Sequence, residues 1–345
     1  MNYEFKHKVK PQRPQILRAL FVLLVTGLLV SCLLTGLDGD ISPPGDMSFM
    51  FIGSATAVEQ TRNMAINRFD RVAYTSDGSG IIGIYNIANP RDPLMVHSLR
   101  LQTGGEHIRK IEVDDNRNLY IAAGNGGLFI VNVLNPQMPV IHYENSSINA
   151  RDLSFEDDHV AVINDNGWVL YNRTALDHLF EIRTHNYIDN PSPRKVLLRY
   201  PWLYVANADR LDIFDLNSPP QSRPERTITY NNFIDFDVDP NGVFMALITQ
   251  NELIFIDISN PLVTSEIRRM GVNLNSRVIR ISQGRLFIST WARTVHVFRL
   301  TTLLEIPEEE TRINLPQVVQ DISFHLGYIL LSQGINGFEI YRYLP

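Results

Sequence analysis

Five arginines recur at one phase of a long period in this chain: Arg62, Arg109, Arg151, Arg194 and Arg277. A guanidinium is planar, permanently charged and forked to match a carboxylate or a phosphate, so five converging on one opening would form an anion-binding funnel. The same series places Ile234 and Gln320 at two further points. Against the funnel stand acidic neighbours, Asp77, Asp152, Asp165, Asp209, Asp235 and Asp321, which could neutralise the ring through structural ion pairs. Sequence leaves both readings open, as ligand-binding ring or as structural ring.

No second constellation competes with it. Residues 237–242, with Asp237, Asp239, Asn241 and Gly242, imitate the first half of a calcium loop, but Ile248 stands where a bidentate glutamate is needed. A hairpin turn explains them better. The nine histidines are scattered and no pair has HExxH spacing, so each is expected to face solvent, with a zinc site assembled from distant segments still open. Neither a G-x-S-x-G elbow nor a P-loop occurs. Glu308, Glu309 and Glu310 read as a solvated loop, and the tyrosines and phenylalanines read as core. No catalytic residue, cofactor or metal is assigned.

The elements that must carry the arginines are short β-rich runs. A five-residue pattern starts at Ile82, Leu128, Trp168, Leu211, Leu253, Val295 and Phe338, with intervals of 46, 40, 43, 42, 42 and 43 residues. Its fifth residue is Asn86, Asn132, Asn172, Asp215, Asp257, Arg299 or Arg342. A strand precedes each copy across a polar turn, such as residues 124–127 or 207–210, rich in residues that tolerate positive φ. Asn-Pro follows at Asn89, Asn135 and Asn260, where an Asx side chain bonds the backbone and proline ends the ladder. A fourth strand comes next. The unit is therefore four antiparallel strands in about 42 residues.

Units of this kind bury both faces only by stacking, which allows a ring or an open solenoid. The chain ends favour the ring. The seventh unit has three strands and stops, whereas residues 48–52 form an unmatched strand ahead of the first unit. The expected fold is all-β, a seven-bladed propeller of four-stranded antiparallel blades over 48–345, with an N-terminal strand completing the C-terminal blade. The repeated pattern resembles the LVIVD repeat family of bacterial and archaeal surface and secreted propellers. That resemblance implies an interaction scaffold. Units six and seven depart from it at Arg299 and Arg342.

Residues 1–18 carry Lys6, Lys8, Lys10, Arg13 and Arg18 and precede an apolar run over 19–30, the layout of a secretory signal. The run ends in Leu29, Val30, Ser31 and Cys32, which resembles a lipobox and implies cleavage at residue 31 and lipidation of Cys32. An uncleaved span extended by Leu33, Leu34 and Leu37 is the alternative. Leu33 is not the aspartate of inner-membrane retention, so an outer-membrane address is expected in a Gram-negative cell. Residues 32–47, rich in glycine, proline and acidic side chains, read as a tether.

The single cysteine excludes any intramolecular disulfide and any cysteine-based metal cage. A net charge of −6 spread over both halves argues against nucleic acid. Two functions from different classes remain. One is a membrane-anchored, non-enzymatic binding scaffold engaging an envelope protein, peptide or glycan at the propeller mouth. The other is a propeller enzyme acting on an anionic glycan through the arginine funnel.

Overall fold

The computed structural model describes residues 48–344, apart from 68, 79, 176–177, 190–191, 220–222 and 301–306. The leader, Cys32 and the tether lie outside the described residues. Asp46–Pro345 is one compact unit. Its described residues form seven separate four-stranded antiparallel sheets and one 3-10 turn at Pro261–Val263.

The innermost strands of blades 1 to 7 are Thr61–Asn67, Lys110–Val113, Asp152–Glu156, Lys195–Arg199, Phe233–Val238, Ser276–Ser282 and Asp321–His325. Blades 1 to 6 each use four consecutive strands. Blade 7 has three, and Ser48–Ala55 lies on its outer edge, paired antiparallel with Phe338–Leu344 from Ser48↔Leu344 to Ala55↔Phe338.

Packing explains why the middle strands lack simple alternation. Asn118–Ala122 is buried at all five positions, and the first five residues of Ile81–Asn86 are buried. A neighbouring blade covers each face, so apolar residues on both faces leave water. Outer strands such as Leu94–Arg100 are largely open. Apolar clusters join every adjacent pair of blades. Tyr74, Ile84, Leu119 and Phe129 pack between blades 1 and 2, and Tyr120, Tyr171 and Leu153 between blades 2 and 3. Trp168 and Phe214 pack between blades 3 and 4, and Phe236 and Tyr204 between blades 4 and 5. Phe255 and Ile279 link blades 5 and 6, while Phe287 and Ile322 link blades 6 and 7. Ala73, Tyr85, Leu330 and Phe338 form the seventh interface, between blades 7 and 1, which closes the ring.

Hydrogen bonding accounts for the acidic or amide residue that ends the repeated pattern. The carboxyl or amide oxygens of Asn86, Asn132, Asp215 and Asp257 accept from the backbone N–H two residues on, at 2.8 to 3.2 Å. Each such bond turns the chain out of the third strand. Arg299 breaks the pattern because its partner is Glu310. Glu310 lies on strand Glu308–Asn314, not in a solvated loop, and its 6% exposed carboxylate also binds Arg285 at 2.8 Å. Glu308 and Glu309 are exposed as expected, but on an edge strand and not a loop, and Glu310 departs because Arg299 of the adjacent strand and Arg285 of the strand beyond it draw its carboxylate inward. The calcium-like segment is the hairpin turn: Asp239 accepts from Asn241, Val243 and Phe244 at 2.9, 2.6 and 2.8 Å.

Candidate functional site: the basic mouth and the channel beneath it

The ring positions are equivalent in the backbone. Arg109, Arg151, Arg194 and Gln320 donate their N–H groups to the carbonyls of Ala122, Ile163, Ala206 and Ser332, at 2.7 to 2.9 Å. In the other blades the register shifts between Thr61 and Asn63, Phe233 and Asp235, and Ser276 and Val278, making Arg62, Ile234 and Arg277 the extra residues. An extra residue re-aims its side chain and twists the strand locally. All seven therefore enter the innermost strands at one level, beside the second hairpin turns.

Their side chains differ. Arg151 pairs with Asp165 at 3.1 Å, and Asp165 also accepts from Asn149 at 2.6 Å. Arg62 donates to the neutral amide of Gln60 at 3.2 Å. Arg277 donates to Gln320 and lies over the Trp291 ring with its guanidinium carbon 4.6 Å from the centroid. Burial and the nearby Arg62 push its pKa down. Arg109 and Arg194 are exposed. Among the described ion pairs, only Arg151 of the five joins a carboxylate.

Three of the proposed neutralising carboxylates turn elsewhere. Asp152 accepts from Val196 N–H at 2.8 Å, Asp235 from Ile279 N–H at 3.1 Å and Asp321 from Met64 N–H at 3.1 Å. Each is a clasp from one innermost strand to the next blade, and the last joins blade 7 to blade 1. Asp209 is exposed, and the side chain of Asp77 lies outside the described residues.

Sequence reading did not assign the layer below the mouth. Lys195 binds Asp235 at 2.6 Å, and Arg280 binds Asp235 at 2.7 Å and Asp321 at 2.5 Å. Lys110 lies 3.3 Å from Glu112. A cavity of about 360 Å³ is lined by Lys110, Glu112, Arg280, Asp321, Ser323 and the rings of Phe155 and Phe324. Burial pushes the Asp152 carboxyl up to about 6, against the pull of Lys110 and Lys195. Burial raises Asp237 as well, whereas Lys195 and Arg280 outweigh burial at Asp235 and hold it below the usual carboxylate range. The signal available in sequence was a polar residue at every second position, Lys110 and Glu112 or Asp235 and Asp237, on strands otherwise apolar.

Three histidines depart from the expectation of facing solvent, whereas His107 and His142 are exposed. His185, His296 and His325 are each 6% exposed. His185 stacks on Trp168 at 5.6 Å, and His296 bonds Glu309 at 3.0 Å, because ring surface and carboxylate offer more there than water does. No group of three or more potential metal ligands occurs among the described residues. No described helix is long and apolar enough to cross a membrane.

Seven four-stranded blades around a polar channel make this an all-β, seven-bladed propeller. Residues 111–143 and 246–269 match the LVIVD repeat model. The first segment spans most of blade 2 and the second the middle and outer strands of blade 5, so the chain is similar to the LVIVD-repeat propellers in fold and in repeated sequence. No curated protein matches it.

Proposed function

We propose that the chain is a non-enzymatic binding scaffold of the cell envelope, tethered to the membrane through Cys32 and engaging its partner at the basic mouth. The carrying observation is the contrast between two layers. Channel charges compensate one another in a network, whereas Arg109 and Arg194 project exposed from backbone positions held by the ladder. A closed ring fixes the backbone that carries these groups, so only their side chains remain to be ordered on binding. The leader and the lipobox-like residues 29–32 supply the address, and the place of the inner-membrane retention aspartate is taken by Leu33, which fits the outer membrane of a Gram-negative cell.

The test combines Arg109→Ala and Arg194→Ala in one full-length chain. Retention of an envelope glycan, peptide or protein from solubilised membranes should fall at least tenfold while the melting temperature stays within about 1 °C, since exposed substitutions seldom change stability by more than about 0.5 kcal/mol. Cys32→Ser should move the protein from the membrane fraction to the soluble exported fraction. Unchanged retention would refute mouth binding, and turnover of an anionic glycan lost in the arginine variant would favour the enzyme instead.

A further inference from the structure

One sector of the mouth differs from the rest. Arg277 of blade 6, Gln320 of blade 7 and Arg62 of blade 1 occupy three consecutive ring positions. Burial, and after it the positive charge of Arg62, push the Arg277 pKa down. Their bonded partners are the neutral amides of Gln320 and Gln60. Asp321, the carboxylate that acts on Arg277 in the opposite sense, is already held by Arg280 and the Met64 amide. The Arg277 Nε is buried with no hydrogen-bond partner among the described residues.

Trp291 adds a platform. Arg277 lies over its ring, yet the residue remains 52% exposed. The ring attracts the guanidinium, and the indole still offers apolar surface beside a doubly positive spot. Such a pairing suits an anionic group carried on a ring, whose charge meets the two forks while its C–H face lies against the indole. An acidic peptide side chain would supply the charge without the ring.

We infer that Arg62, Arg277 and Trp291 form a subsite for an acidic sugar residue, one bearing a carboxylate or a phosphate. This deepens the scaffold reading and rests on it, since it names the chemistry of what the mouth receives.

Titration calorimetry and tryptophan fluorescence on the full-length chain in detergent test it. The probes are tetragalacturonate, its neutral methyl ester, mannose 6-phosphate and inorganic phosphate. Saturable binding of either acidic sugar is expected, at least tenfold tighter than the methyl ester or inorganic phosphate, with a change in Trp291 emission. Arg62→Gln and Arg277→Gln should each weaken it at least tenfold. Trp291→Ala, at an exposed position, should weaken it similarly and abolish the emission change. Equal binding of the methyl ester, equal binding of inorganic phosphate, no binding of either acidic sugar, or indifference to all three substitutions would overturn the subsite. Should the Arg109 and Arg194 substitutions abolish partner retention while these three do not, the scaffold would stand and the subsite alone would fall.

Discussion

Asp152 offers a quantitative check on the channel. Its carboxylate is buried, accepts the Val196 N–H at 2.8 Å, and titrates at about 6 instead of 3.8 because desolvation outweighs Lys110 and Lys195. Between roughly pH 4 and 6 the unfolded chain has lost this proton and the folded chain has kept it, so stability falls as pH rises through that window. Below it the contribution is fully present; above it the loss is complete. A displacement of about two pH units corresponds to roughly 3 kcal/mol. Asp152→Asn keeps an oxygen for Val196 and never ionises. The variant should melt with the wild type near pH 4 and about 6 °C above it at pH 7, taking about 2 °C per kcal/mol for a domain of this size. Scanning calorimetry from pH 4 to 8 on both proteins measures the difference, in which titrations not coupled to Asp152 cancel. An offset independent of pH, or a variant less stable at pH 7, would refute the desolvation argument.

Two further predictions address the frame. Asp235→Ala strips Lys195 and Arg280 of a shared buried carboxylate and should cost about 3–5 kcal/mol at pH 7 by chemical denaturation. Because the folded pKa of Asp235 is lowered, its contribution is present above about pH 4 and fades as pH falls further, so the gap from wild type should narrow in acid; a gap under about 1 kcal/mol at pH 7 would count against the network. Removal of residues 48–55 uncovers the edge of Phe338–Leu344 and discards the Phe51–Tyr341 and Phe49–Tyr343 ring contacts. Melting should drop by more than about 5 °C, equivalent to about 2 kcal/mol or more, and an unchanged transition would show that the blade 7 to blade 1 interface, with its Asp321–Met64 clasp, closes the ring without this strand.

What was legible followed from local rules. The Asx residues at Asn86 and Asp257 turn their own chain within two residues, so their spacing reports the blade period directly. Asp239 likewise satisfies amides no more than five residues away. The level of the five arginines could be read because each enters the innermost strand at the same point of its unit. Whether each arginine is neutralised could not be read. Asp152 and Arg151 are adjacent in sequence, yet strand alternation gives Asp152 to Val196 and Arg151 to Asp165.

The amino-acid order alone determined the seven-unit period, the four-strand blade, the turns between strands and the presence of a basic ring, because each is encoded by residues within one repeat. Tertiary structure decided which charges pair and which stay open. Arg280 meets Asp235 and Asp321 more than forty positions away, and Arg277 meets Trp291 across the strand pairing of its own blade. Such meetings depend on the angle at which blades pack and on the bulges that re-aim individual side chains, and a one-dimensional pattern carries neither.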